Sequence, residues 1–314
     1  MTFTIPKAVY TGKIKEVVLG KGAGAVTVGG ETSYPFHLFE GEMPHAPRIA
    51  IEVYDVAPDD WAAAALSPYL DVINDPVAWA QKAVDVYGAE LIALQLVSTD
   101  PNGLNKSSEE ATETAKKVAA AVDVPVLVYG SGNSDKDSDL LRKVAEAGDG
   151  MNLVLGPVVA DNYKQIGAGA IAYKHTVSAN TPIDINLAKQ LNILLGNLGV
   201  PDRQLIVDPT TGGLGYGIEY TYSVMERDRM AALTQQDERL QFPIICNLAG
   251  EVWKTKEAKA KTEDAPLLGD ATRRGIIMEA MTATLLLLAG ADVLVMRHPE
   301  AVRLVREMIN DFTA

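Results

Sequence analysis

Asp208-Pro209-Thr210 runs directly into Thr211-Gly212-Gly213-Leu214-Gly215-Tyr216-Gly217, setting a carboxylate and a hydroxyl beside a backbone with four glycines. Glycine has no side chain to hold a ligand off, so such a loop suits close approach to a large flat molecule. A plain flexible connection has the same composition, and Asp208 serves equally as a proton acceptor or as a cap for the loop. Asn102 with Gly103, Asn133 and Asn247 add neutral amide chemistry, and Arg297 and His298 add cationic or titrating groups. Lys174 adjoins His175. A desolvated lysine can form a Schiff base, but neighbours on a strand point to opposite faces, so only one of this pair can face a site.

These groups share a position: they stand at or just beyond the ends of short apolar runs. The runs are Ile49–Asp55, Leu91–Ser98, Pro125–Gly130, Asn152–Gly156, Ala170–His175, Leu205–Thr210, Pro243–Gly250 and Asp292–His298. A helix-like stretch follows each. Eight strand–helix units are what a parallel barrel needs to close, and its functional groups sit where the strands end. The expected fold is a (β/α)8 TIM barrel over residues 49–314, preceded by an N-terminal β-hairpin extension and connector over residues 1–48. A doubly wound sheet is the alternative, but no glycine-rich turn directly follows the first strand. The expected C-terminal rim carries Glu52, Asp55, Ser98, Thr99, Asp100, Asn102, Gly130, Asn133, Gly156, Lys174, His175, Asp208, Thr210, Asn247, Arg297 and His298.

Local signals fix several helices. Asn74 and Pro76 open one over Asp75–Tyr87, and Ser107 with Glu110 approaches a capping box for Ser107–Val122. Ser134 or Asp135 starts a helix to about Ala147, a short one is expected near Ala160–Ile166, and Gly199 can end Ile183–Leu198 in a left-handed cap. Helices are also expected over Ile218–Thr234 and Ala271–Ala289, with Pro299 opening the last. Upstream, Val17-Val18-Leu19 and Ala25-Val26-Thr27-Val28 flank Gly20-Lys21-Gly22-Ala23-Gly24 and read as a hairpin. A phosphate loop there would need a helix directly after the glycines, and a strand follows instead.

The bulk properties narrow the function. A net charge of −13 argues against nucleic acid and anionic lipid. The longest apolar stretch, Met281–Ala291, is too short for a bilayer, which takes about 20 residues. Met1–Lys7 has no apolar leader core, so the expected address is the cytoplasm. Cys246 is the only cysteine and lies in an apolar run. An iron–sulfur cluster usually needs four thiolates, so this chain alone supplies no such site.

Several segments resemble the small subunit of the corrinoid iron–sulfur protein, whose archaeal form is the delta subunit of the acetyl-CoA decarbonylase/synthase complex. They are Tyr34-Pro35-Phe36, Pro44–Asp55, Leu94–Pro101, Asp208–Gly217 and Gly269-Asp270. The resemblance implies a barrel paired with a large subunit that carries the [4Fe–4S] cluster and a corrinoid-binding domain. Cobalamin would lie between that domain and the barrel top. A methyl group would pass from methyltetrahydrofolate, through a methyltransferase, to this carrier and on to acetyl-CoA synthase, in the anaerobic reductive acetyl-CoA (Wood–Ljungdahl) pathway.

Rim geometry, rather than a matched motif, selects the residues expected to meet the corrinoid: Asn102, Gly103, Asn133, Lys174, His175, Asp208, Thr210, Gly212, Gly213, Gly215, Tyr216, Asn247 and Arg297. No catalytic residue and no protein metal ligand is expected, because the cofactor carries the chemistry. The alternatives are a stand-alone pterin-dependent methyltransferase holding its ring with Asp208, Asn133 and Asn247, and a lyase or aldolase using Lys174.

Overall fold

The hairpin strands β1 (Val17–Leu19) and β2 (Val26–Val28) pair antiparallel around a short 3-10 turn, Gly22–Gly24, in the computed structural model, which describes residues 4–314. The first three residues of the Met1–Lys7 segment lie outside the described residues. Eight parallel strands follow: β3 (Arg48–Tyr54), β4 (Leu91–Gln95), β5 (Val126–Tyr129), β6 (Val154–Val158), β7 (Thr176–Asn180), β8 (Leu205–Asp208), β9 (Ile245–Asn247) and β10 (Val293–Met296). Their order is β8-β7-β6-β5-β4-β3-β10-β9, and a parallel bridge between Val207 and Ile244 joins the two ends. The sheet therefore closes as the (β/α)8 pattern requires.

Strand alternation sorts the side chains into two cores. Ile49, Ile51, Val53, Ile92 and Leu94 point outward and pack under the helices. Ala50, Leu91, Ala93, Leu127, Val154, Ile206, Ile245, Val293 and Val295 fill the barrel itself. Val17, Leu19 and Val28 belong to this inner core, so the hairpin plugs the barrel's N-terminal end. Asn152 fastens the plug by donating from Nδ2 to the carbonyls of Val18 (2.9 Å) and Gly20 (2.8 Å).

The outer helices are α1 (Ala63–Leu66), α2 (Pro76–Asp85), α3 (Ser108–Ala121), α4 (Ser134–Ala147), α5 (Tyr163–Tyr173) and α6 (Ile185–Leu198). After them come α7 (Ile218–Thr234), α8 (Ala249–Trp253), α9 (Lys256–Lys259), α10 (Ala271–Ala289) and α11 (Pro299–Thr313). The Ser107–Glu110 capping box forms, and Gly199 ends α6 in the left-handed region. Helix α2 is capped by Asp75 rather than Asn74: its carboxylate accepts from the amides of Val77 and Ala78. None of the helices among the described residues is long and apolar enough to cross a membrane.

One strand differs from expectation. Ala170–His175 is not β-structure: residues 170–173 end α5, Lys174 is its left-handed C-cap (φ 59°), and the strand is Thr176–Asn180. The small residues there serve helix packing. A Cβ on Gly167 would come within 2.7 Å of Leu198, and one on Gly169 within 3.3 Å of Ala145, so α5 sits close to both flanking helices only because those positions are bare.

Candidate functional site

The C-terminal ends of the inward-facing positions form a polar layer above the apolar inner core. Gln95, Tyr129 and Gly156 are register partners across β4, β5 and β6, and Asn180 partners Asp208 across β7 and β8. With Gly130, Ser131, Gly132, Pro157, Thr210, Thr211, Asn247 and Glu251 they line a cavity of about 230 Å³ in the barrel mouth.

Asp208 is the chemical centre of this layer. It is only 4% exposed, and burial pushes its carboxyl up to about 6, opposed by the Thr210 amide that donates to Oδ1 at 2.9 Å. Thr210 adopts a left-handed conformation (φ 63°) that costs a non-glycine residue energy. Its hydroxyl repays part of that by donating to the Thr181 carbonyl (2.6 Å) and accepting from Asn180 Nδ2 (3.2 Å). The chain then enters the glycine loop. A Cβ on Gly213 would meet the Gly217 carbonyl at 2.6 Å, and its φ is +70°, so the turn requires glycine. Tyr216 projects from this loop 87% exposed.

The residues expected to meet the corrinoid separate into four sets. Asp208, Thr210 and Asn247 line the cavity. Gly212, Gly213, Gly215 and Tyr216, with Asn102 and Gly103 on the turn after β4 and Asn133 ahead of α4, stand on the loops above β8, β4 and β5. Asn133 is already in use as the N-cap of α4, accepting from the Lys136 amide at 3.0 Å. Lys174 and His175 are displaced from the mouth altogether. They precede β7 and so lie at the opposite, N-terminal end of the barrel. His175 is fully buried there, its Nδ1 accepting from the Leu153 amide (3.0 Å) and its Nε2 facing the Ala145 carbonyl (2.8 Å). This placement removes Lys174 as a Schiff-base residue of the mouth.

Arg297 stands at the mouth but is 2% exposed and internally satisfied. Its Nε donates to Glu52 Oε2 at 2.7 Å and its guanidinium carbon lies 3.5 Å from the Trp61 ring centroid. It braces the mouth, its guanidinium committed to Glu52 and the Trp61 ring. Cys246 is buried beside Met225, and burial pushes its thiol well up, leaving a small apolar core residue. Sequence reasoning missed Gln95, Tyr129, Asn180 and Glu251. Asn180 had a readable signal, since Thr176-Val177-Ser178-Ala179-Asn180 is a β-branched run stopped by Thr181-Pro182.

A closed parallel barrel whose mouth is lined by amides and by the carboxylates Asp208 and Glu251, with no cluster of metal-ligating side chains among the described residues, defines a (β/α)8 protein with a polar cavity at its C-terminal end. The family described as the CO dehydrogenase/acetyl-CoA synthase delta subunit matches residues 16–312, and this chain belongs to it. The acetyl-CoA decarbonylase/synthase complex subunit delta of Archaeoglobus fulgidus is 40% identical over 97% of this chain and 69% of its own length. That of Methanothermobacter thermautotrophicus is 34% identical over 99% and 79%. Among solved structures, the fold resembles dihydropteroate synthase from Xanthomonas albilineans (TM-score 0.60, 14% identity, 95% of this chain and 97% of that one). The Coxiella burnetii enzyme in complex with pteroic acid is similar too (TM-score 0.58, 15% identity, 87% and 95%). At that identity the likeness is one of fold.

Proposed function

We propose that this chain is the barrel subunit of a heterodimeric corrinoid iron–sulfur methyl carrier in the cytoplasm. Its mouth covers one face of a cobalamin whose other face, together with a [4Fe–4S] cluster, belongs to a larger subunit. The observation that carries this reading is the open mouth itself: amides beside the carboxylates Asp208 and Glu251, a glycine loop turned through positive φ at Gly213 and Gly215, and an exposed Tyr216. A corrin bears amide side chains that both donate and accept hydrogen bonds, and the amides and carboxylates of this mouth can meet both needs. Asn102, Asn247 and the Nδ2 group that Asn133 leaves over from its capping role would exchange amide hydrogen bonds with those arms. Gly212, Gly213, Gly215 and Tyr216 would lie against the ring edge, and the loops together would exclude water. When bound, the corrinoid supplies a cobalt centre able to accept a methyl group from methyltetrahydrofolate, by way of a methyltransferase, and to release it to acetyl-CoA synthase.

Coexpression with the larger subunit tests the assignment. The heterodimer is expected to purify with about one cobalt, and Asn102→Ala, Asn133→Ala and shortening of the Gly212–Gly217 loop are each expected to weaken corrinoid retention severalfold. Unchanged cobalt content in all three variants would sink the placement.

The outer face of α10 supports a partner as well. Ile277, Met281 and Leu285 recur every fourth residue, all exposed, and with Leu214, Ile218 and Leu268 they line an apolar groove of about 440 Å³. We assign this face to the larger subunit, because the family is named for a multi-subunit complex. Met281→Glu should then weaken the heterodimer about tenfold or more by sedimentation or titration, without lowering the barrel's own melting temperature.

A further inference from the structure

Where the N-terminal connector crosses the outer helices, it leaves a second cavity of about 430 Å³ between itself, α7 and α10. This cavity shares no lining residue with the one in the mouth. Tyr222, Glu226 and Met230 reach it from α7, four residues apart and so on one helical face. Tyr34 and His37 line it from the connector, and Leu288 from the last turn of α10. The Tyr34 ring is held in place, meeting Tyr10 edge-on at 5.2 Å and His37 at 6.2 Å. Glu40 fixes that group in turn, accepting from the Tyr10 hydroxyl at 2.6 Å and facing His37 Nδ1 at 3.3 Å.

The lining selects a cation. Glu226 is its one carboxylate, and no lysine or arginine lines it. The arginines that follow Glu226 in sequence are spent elsewhere: Arg227 Nε donates to the Ser223 carbonyl at 3.2 Å, and Arg229 is committed to Asp292. Burial first, then the Glu226 charge, raises both the Tyr34 and the Tyr222 phenols, so this carboxylate lies close to both rings. Electron-rich ring faces beside a free carboxylate attract positive charge. A guanidinium suits them better than an ammonium, because it is weakly hydrated, stacks on rings and pairs with a carboxylate through two N–H groups. Met230 and Leu288, 46% and 40% exposed, offer apolar surface to a methylene stem.

Position names the carrier of that cation. Leu288 continues the exposed stripe of Ile277, Met281 and Leu285, so the cavity is the end of the α10 face assigned above to the larger subunit. A chain with a net charge of −13 favours a basic partner surface. Tyrosine, methionine and arginine are also the residues that interfaces concentrate. We infer that this cavity receives an arginine side chain of the larger subunit, its guanidinium paired with Glu226 and stacked on Tyr34 and Tyr222, its stem lying along Met230 and Leu288. The inference rests on the assignment of the α10 face to that subunit.

Titration of the full chain with the larger subunit tests it. Glu226→Gln should weaken the heterodimer about tenfold and Glu226→Lys about a hundredfold or more, with the melting temperature of the chain alone unchanged. Tyr222→Leu should weaken it severalfold. One Arg→Glu substitution in the larger subunit should then restore Glu226→Lys to within about tenfold of the native pair. Affinity within about twofold of native in both Glu226 variants overturns the inference. So does rescue at a lysine of the larger subunit in place of an arginine. Saturable binding of methylguanidinium to the chain alone, with assembly untouched by the Glu226 variants, would make this a small-cation site and overturns the inference equally. Met281→Glu separates the two readings. Weakening by Met281→Glu but not by the Glu226 variants removes this contact and keeps the α10 assignment. No weakening by any of them removes both.

Discussion

Arg297→Ala is expected to lower the unfolding free energy by about 3–5 kcal/mol, the usual result of breaking a buried ion pair from one side. The guanidinium sits at the end of β10 with Glu52 at 2.7 Å, the Tyr54 hydroxyl at 3.3 Å and the Trp61 ring beneath it at 3.5 Å. Without it, Glu52, only 1% exposed, keeps one long contact from Gln95 Nε2 at 3.4 Å. A buried carboxylate so poorly paired must be protonated or hydrated, and either costs folding energy. Arg297→Lys should recover little, because an ammonium has neither the planar fork nor the stacking face that Trp61 covers. The double variant Glu52→Gln/Arg297→Met should recover part of the loss, since it removes both charges together. Urea unfolding with a common slope measures all three. A loss under about 1 kcal/mol for Arg297→Ala would mean that the pair is solvated and the mouth loosely packed.

The legible parts of this chain were those where a single periodicity ran unopposed. Helices α7 and α10 begin and end where the pattern placed them, because Gly217 and Asp270 precede a long uninterrupted stretch and Gln235 and Gly290 follow it. Strand β7 was illegible for a definite reason. Thr176, Ser178 and Asn180 face the barrel interior, so its inward positions are polar, and only Val177 and Ala179 carry the apolar signal. The preceding Gly167-Ala168-Gly169-Ala170-Ile171-Ala172 is more apolar and drew the strand assignment, although its bare positions serve close helix contact. That slip carried Lys174 and His175 to the wrong end of the barrel and hid Asn180. Asp208 and Asn247 were visible because each ends an apolar run. Gln95 was not, because it interrupts one. Arg297 was visible as a strand end, but its partner Glu52 lies 245 residues away in the chain, and only barrel closure brings them together.

The base of the barrel depends on a second buried cation, and Arg229→Ala is expected to cost about 3–5 kcal/mol there as well. Arg229, on α7 and 3% exposed, donates to Asp292 Oδ2 (2.5 Å), the Gly290 carbonyl (2.5 Å) and the Phe242 carbonyl (3.3 Å). Those partners are the segments that lead into β9 and β10. Asp292 in turn accepts from the Ile244 amide at 2.6 Å, which sets the start of β9. This matters because the β8–β9 seam is the thinnest part of the sheet, joined by the single bridge Val207–Ile244. Glu31, arriving from the N-terminal extension, lies close to the same group; burial first, then the neighbouring Asp292 charge, raises its carboxyl well above the ordinary range. Removing Arg229 therefore leaves Asp292 buried without its cation and frees two carbonyls at once. The seam should loosen before the rest of the barrel, since local opening follows the weakest backbone pairing. Deuterium exchange should accelerate at Ile245–Asn247 while β4 and β5 stay protected. Uniform acceleration across all eight strands, or a stability loss below about 1 kcal/mol, would show that this cluster does not hold the seam shut.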